Sequence, residues 1–261
     1  MTTSLALPEH IAFGYETDAI DLAGLTEDDA PVLRELIARA GVAVFRGQRL
    51  DDTGFVRVLT LLGPMTFTPG ETPLADQPQL NAVSNVGRTT PPRSVFHTDS
   101  SYFEAPPAFT ALRAVQVPES GGATLFSDQV AALKRLPAAY RRQLAGRTVA
   151  HKVTGLADQD AMQRHPLLRR HPITGEIALY LSTPERCSEL SGYTPAQSRE
   201  TIEALYEHST LERHLYRHIW APHDVVIWDD RVTLHRGDHS ATVGDRVLHR
   251  GMVEGEVPIP A

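Results

Sequence analysis

Three stretches of this 261-residue chain have residue types and spacings that could carry chemistry. In Phe96-His97-Thr98-Asp99 an imidazole and a carboxylate stand two residues apart, and on a strand such residues point to the same face. One neutral nitrogen donor and one anionic oxygen donor converging on a point make half of a metal site. Taken alone the pair is weak, because a chain with 12 histidines produces such pairs by chance. A hydrogen-bonded core or surface histidine is the plain alternative. The second stretch, residues 224–236, reads as an apolar strand, an Asp-rich turn (Asp229-Asp230) and a second apolar stretch that delivers His235 to the end of a hairpin-like element. In the third, Arg246-Val247-Leu248-His249-Arg250, alternation puts Arg246 and Arg250 on one face with Leu248 between them. Two cations are thus aimed at one region, unless they are ordinary solvated arginines of an edge strand.

Residues so far apart in the chain need rigid elements to bring them together. Acidic residues and Pro31 ahead of residues 32–40, with Gly41 behind, predict a helix there. A second helix is expected over 128–145, and a third from Thr194-Pro195 to about His208, with Ile202, Leu205 and Tyr206 at helical spacing. Elsewhere the pattern is of short strands at 41–45, 110–117, 147–153, 177–182, 215–220, 224–228 and 246–253, separated by Gly, Pro and Asp. Many short strands with few peripheral helices predict a mainly β protein of two packed sheets or a closed barrel. Residues 66–94 and 155–175, both Pro-containing and without periodicity, are expected to be long loops, and loops of that length are often lids over a site.

At these residues the chain resembles the taurine dioxygenase and 2,4-dichlorophenoxyacetate dioxygenase family of iron(II) and 2-oxoglutarate dependent oxygenases, from about Gly14 to Glu256. The family's proximal His-Thr-Asp, followed by a small residue and an aromatic, is matched by His97-Thr98-Asp99-Ser100-Ser101-Tyr102. Its Pro-Pro is matched by Pro106-Pro107 and its Gly-Gly-x-Thr by Gly121-Gly122-Ala123-Thr124. His171-Pro172-Ile173-Thr174-Gly175 matches His-Pro-x-Thr-Gly, and residues 228–235 match Trp-Asp-Asn-Arg-x-x-x-His with Asp230 in place of Asn. The family's two arginines follow the distal histidine after 11 and 15 positions, the separations of Arg246 and Arg250 from His235 (246 − 235 and 250 − 235). The stretch 236–240 departs from the family pattern, a difference on the substrate side. No single element is specific, but all of them in order and at family spacing make a strong signal.

The resemblance implies a double-stranded β-helix (jelly roll) and an enzyme that takes Fe(II) on His97, Asp99 and His235, with 2-oxoglutarate and O2 as cosubstrates. Two imidazoles and one carboxylate on one face of an iron leave open positions for a chelating 2-oxo acid and for O2. Asp99 supplies negative charge, where an apolar residue would admit halide, so hydroxylation or desaturation is expected over halogenation. Arg246, with Thr124 as hydroxyl partner, suits the remote carboxylate of 2-oxoglutarate, because a rigid guanidinium meets a carboxylate through two parallel charge-assisted hydrogen bonds. The family places Arg250 nearer the iron, on the C1 carboxylate of 2-oxoglutarate or an anionic group of the substrate. Arg250, Ser100 and Tyr102 are the candidates for substrate contact. Further histidines, among them His151, His165, His171, His214, His218 and His249, lack ligand-like partners and are expected to be structural or at the surface.

Composition bounds the rest. Apolar residues at 41% and charged residues at 22% suit a soluble globular chain with a sizeable core, expected to be one domain over 1–261. A net charge of -7 with scattered Lys and Arg gives no basic stripe for a phosphate backbone, so nucleic acid is a poor partner. The start lacks a signal-peptide pattern and no apolar run reaches membrane-span length, so the cytoplasm and no membrane association are expected. Cys187, the sole cysteine, rules out an intrachain disulfide and a cysteine metal cluster. The expected partner is a small, anionic substrate, with homo-oligomerisation left open. The rival from another class is a silent jelly roll that binds a metal or small acid as a sensor or scaffold.

Overall fold

A computed structural model describes residues 5–88, 90, 94–154 and 161–261. Its largest sheet has seven strands, in the order Tyr15–Thr17, Val42–Phe45, Val225–Asp229, Phe109–Gln116, Val247–Val253 and Met65–Thr66, with Asn81–Ser84 also paired to Val247–Val253. A second sheet holds Leu215–His218, Thr124–Asp128 and Thr233–Gly237, all antiparallel. The two sheets pack face to face, since one buried cluster joins Val42, Val44, Leu112, Val226, Trp228 and Leu248 of the first to Phe126 of the second. Of the two arrangements that the strand pattern left open, packed sheets or a closed barrel, this is the first, the jelly roll that the resemblance implies.

Alternation explains why the central strands are buried on both sides. In Val42–Phe45 the even residues enter the inter-sheet core, while Ala43 and Phe45 turn to the outer face and meet Leu33, Leu36, Ile37, Phe55 and Leu59 of two helices. One of these helices, Ala30–Ala40, has Pro31 in its first turn and ends at Gly41, whose φ of 64° places it in the left-handed region. The other, Asp52–Leu62, was not foreseen from sequence, although Asp51 caps it by accepting from Gly54 N (2.7 Å) and Phe55, Val58, Leu59 and Leu62 follow helical spacing. A third cluster packs the helices Gln129–Arg135, Ala138–Leu144 and Pro195–Ser209 against two small sheets.

Two expectations change. The helix over 128–145 is two helices, because Pro137 has no N–H to donate and forces Leu136 into extended geometry (φ -67°, ψ 145°). In the 155–175 segment, Met162–Pro166 pairs with Thr148–Lys152, and Leu168–Arg170 pairs with Ile177–Leu179 and Ile259–Pro260. The first is an edge strand, where Pro and charged residues are tolerated and blur the alternation. Residues 155–160 lie outside the described residues, as do 89 and 91–93 of the 66–94 segment, whose ends form the strands Met65–Thr66 and Asn81–Ser84. No helix among the described residues is long and apolar enough to cross a membrane.

Candidate metal centre and anion site

His97 and His235 face each other in an isolated antiparallel bridge: His97 N donates to His235 O at 3.0 Å and His235 N to His97 O at 2.8 Å. Opposed residues of such a pair project to the same side, so the two rings come within 4.3 Å, centroid to centroid. Asp99, two residues on, turns its carboxylate between them, 3.7 Å from His97 Nε2 and 3.8 Å from His235 Nε2. Ligand atoms of the three all lie within 4.8 Å of one another, and among the described residues no other group of His, Cys, Asp and Glu closes in this way.

Neighbours fix each member of this trio. Thr98 Oγ1 donates to Asp230 O (3.0 Å), Arg186 Nη1 to Thr98 O (3.0 Å) and Tyr206 Oη to Phe96 O (2.9 Å), so the short loop is tied from three sides. His97 Nδ1–H donates to Val95 O (2.9 Å), which leaves the lone pair on Nε2, facing Asp99. Trp228 and Phe126 wall in His235, at 4.6 and 6.3 Å between ring centroids. Burial pushes His97 down from its usual pKa, against the pull of Asp99, and pushes His235 down to about 3, so both are neutral donors. Burial would raise the Asp99 carboxyl, but the electrostatic pull of the His235 ring, the Arg250 guanidinium and the His97 ring outweighs it and holds the group well below the usual range. Two neutral imidazoles and a carboxylate suit a divalent cation of borderline softness, and the site fits Fe(II).

Both arginines point between the sheets, on the same side as the core residue Leu248. Arg246 is only 2% exposed, and among the described residues no carboxylate pairs with it. Its Nε donates to Gly122 O (2.8 Å) and its Nη2 to Thr124 Oγ1 (3.2 Å), and burial pushes its pKa down to about 10. Thr124 Oγ1 also accepts from Trp220 Nε1 (3.0 Å), so its own proton is left to donate. A buried, unpaired guanidinium beside a free hydroxyl proton is the half of a carboxylate site that the protein must provide, and it fits 2-oxoglutarate. The glycine pair makes room for it: a Cβ on Gly122 would lie 2.9 Å from Arg246 Cδ, and one on Gly121 2.2 Å from Ala241 O.

Arg250 lies at the trio, its Nη1 3.5 Å from Asp99 Oδ1. Its Nε donates to Asn81 Oδ1 (3.2 Å) and its Nη2 to Glu71. Ser100 and Tyr102 are buried beside the loop, Ser100 Oγ 3.1 Å from Thr68 Oγ1 and the Tyr102 ring under the Arg186 guanidinium at 5.3 Å. Sequence reasoning missed Glu71, Asn81, Thr68, Arg186 and Thr110, whose hydroxyl stands 3.0 Å from Asp99 Oδ2. Asn81 and Thr110 could have been found by pairing the strands with Val247–Val253, whereas Glu71 and Thr68 sit in a segment without periodicity. His171 is structural as expected: its Nε2–H donates to Asp229 Oδ2 (2.9 Å), which also holds the buried Arg231 at 2.5 Å. A surface cleft of about 730 Å³ between Pro8–Phe13 and residues such as Arg39, Lys134 and Glu176 is a different place, and among the described residues no metal-binding cluster lies in it.

Comparison with known proteins is consistent with this geometry. The profile of the family described as taurine catabolism dioxygenase TauD, TfdA matches residues 4–252. An alpha-ketoglutarate-dependent 2,4-dichlorophenoxyacetate dioxygenase of Cupriavidus pinatubonensis is 28% identical over 94% of this chain and 96% of its own length. An alpha-ketoglutarate-dependent sulfate ester dioxygenase of Pseudomonas putida is 30% identical over 87% of this chain and 81% of its own. The crystal structure of a taurine dioxygenase from Burkholderia xenovorans superposes with a TM-score of 0.85 at 29% identity, covering 95% of this chain and 88% of that one.

Proposed function

Because the chain belongs to the taurine catabolism dioxygenase TauD, TfdA family, and is on that ground an Fe(II)- and 2-oxoglutarate-dependent dioxygenase, we propose that it hydroxylates a C–H bond of a small anionic molecule at His97, Asp99 and His235. The observation that carries the anionic preference is Arg250, a guanidinium 3.5 Å from the only carboxylate of the trio. The relatives named above act on a phenoxyacetate and a sulfate ester, both anions, which supports the same reading.

The iron, when bound, supplies the oxidising chemistry, in which 2-oxoglutarate and O2 yield succinate, CO2 and one oxygen for the substrate. The chain's own part is binding and placement. Asp99 balances the cation's charge, and the Nε2 lone pair of His97 is kept available by the Val95 carbonyl. Arg246 and Thr124 hold the remote carboxylate of 2-oxoglutarate, and Trp228 and Phe126 keep water from the His235 side.

The test is succinate release from 2-oxoglutarate with Fe(II) in air, over a panel of sulfonates, sulfate esters, carboxylates and their neutral or cationic analogues. An anion should stimulate release and emerge one oxygen heavier, and stimulation confined to neutral or cationic compounds would overturn the substrate assignment. A further expected outcome concerns Arg250, whose Nη2 is engaged by Glu71. Arg250→Ala should cut substrate-stimulated turnover by about tenfold or more, roughly 1.4 kcal/mol, even with 2-oxoglutarate saturating. Full recovery at high 2-oxoglutarate would make Arg250 a plain cosubstrate anchor instead.

A further inference from the structure

Asp230 occupies the position where the family pattern has Asn, at the turn between Val225–Asp229 and Thr233–Gly237. Its side chain is 1% exposed and surrounded by neutral donors. Oδ1 accepts from Trp228 Nε1 (3.1 Å) and lies 3.5 Å from Thr98 Oγ1, whose proton goes to Asp230 O at 3.0 Å. Oδ2 is 2.6 Å from Thr110 Oγ1, and Thr110 Oγ1 is 3.0 Å from Asp99 Oδ2.

Counting protons along this line decides the state of its ends. Both separations fall in the range of O–H···O hydrogen bonds, so each needs a hydrogen between the oxygens. Thr110 owns one proton and can give it to one carboxyl oxygen only. The second proton must sit on a carboxyl. Asp99 is not its place, because the Arg250 guanidinium stands 3.5 Å from its Oδ1 and a cation that near favours the ionised carboxylate. Asp230 has no ion-pair partner among the described residues, and the adjacent Arg231 and His171 are committed to Asp229.

We propose that Asp230 is a positioning residue held as a neutral carboxylic acid: its Oδ2–H donates to Thr110 Oγ1, which commits the Thr110 proton to Asp99 Oδ2 and so fixes the carboxylate that faces the metal. An Asn amide at this position would fill the same role with an N–H donor, and the acid keeps the hydrogen bond at the cost of holding a proton. The charged groups acting on it agree. Burial first, then the negative charges of Asp99 and Asp229, push the Asp230 carboxyl well above the usual range. Arg250 is the cation nearest in effect, and its contacts are to Asp99 and Glu71 and not to Asp230, while Tyr180 is un-ionised, pushed up to about 12. The proton assignment stands without any metal. Only its consequence for the metal rests on the reading of Asp99 as a ligand.

Asp230→Asn separates the alternatives through the pH dependence of thermal unfolding of the full chain in chelator. A carboxyl raised in the folded state loses stability for the protein as pH climbs above its unfolded value near 3.9, and Asn has no such loss. The variant's midpoint, relative to wild type, should therefore rise by about 4 °C or more between pH 4 and pH 8. Any constant packing penalty cancels in this difference. A gap that stays flat, or turns against the variant as pH rises, would mean an ionised Asp230 and overturn the proposal. If the variant does not fold, the infrared spectrum of wild-type protein at pH 8 decides: a protonated-carboxyl carbonyl band supports the assignment, and its absence refutes it. Thr110→Val then tests the link to the metal. Mn(II) affinity should fall at least fivefold, and an unchanged affinity beside a positive pH result would refute the positioning role while leaving the proton in place.

Discussion

Asp99→Ala should lose most of the oxidative activity and weaken metal binding, with turnover falling more than tenfold, a loss above roughly 1.4 kcal/mol. The physical reason is that the trio contains one anion. His235 is buried, His97 is half-buried and both are neutral, so after the substitution the cation would meet two uncharged donors and, nearby, a guanidinium freed of one of its carboxylate partners. An alanine methyl can neither ligate nor balance charge, and the Arg250 charge then opposes the metal. Iron(II) or Mn(II) titration measures the first effect and succinate release the second. Retention of more than about a tenth of wild-type turnover would remove Asp99 from the metal site. A loss of turnover at undiminished metal affinity would keep the chemistry and assign the binding to other residues.

The chemistry was more legible in the chain than its surroundings. His97 and Asp99 could be read as convergent because strand alternation is local, and Arg246 and Arg250 because they are four apart in one strand. The approach of His235 to His97 depends on a bridge between segments 138 residues apart (235 − 97), which only the family spacing suggested. Local rules also located Val42–Phe45 and Val225–Asp229, whose strands read as continuous apolar runs. They failed at Asp52–Leu62, where Gly54 and Thr60 dilute the helical signal and tertiary packing of Phe55 and Leu59 decides. Glu71 was illegible for a different reason. Its contact with Arg250 comes from the course of an aperiodic segment, and a Glu among prolines looks like a solvated turn until the strand it crosses is in place.

Arg246→Ala should raise the Michaelis constant for 2-oxoglutarate strongly while leaving the metal bound. The side chain is 2% exposed, donates to Gly122 O and Thr124 Oγ1, and has no carboxylate partner among the described residues. Holding a cation in such a place costs desolvation energy that a ligand carboxylate offsets, and the pKa lowered to about 10 is the mark of that unrelieved burial. With the guanidinium removed, the remote carboxylate of 2-oxoglutarate would enter a pocket that keeps the Thr124 hydroxyl and the Trp220 ring but has lost the cation. The loss should amount to roughly 2 to 5 kcal/mol in cosubstrate binding, most of it from an anion left desolvated without its partner. The protein itself should not be destabilised in proportion, because deleting an unpaired buried charge removes a folding cost along with two hydrogen bonds. Steady-state kinetics over a wide range of 2-oxoglutarate check the first part and thermal unfolding the second. Oxaloacetate or pyruvate, whose far ends are shorter or uncharged, should lose less than 2-oxoglutarate does on the same substitution, since they make less use of the arginine. An unchanged Michaelis constant would mean that Arg246 faces something other than the cosubstrate, and the last strand would then have to be reread with Arg250 as the sole carboxylate anchor.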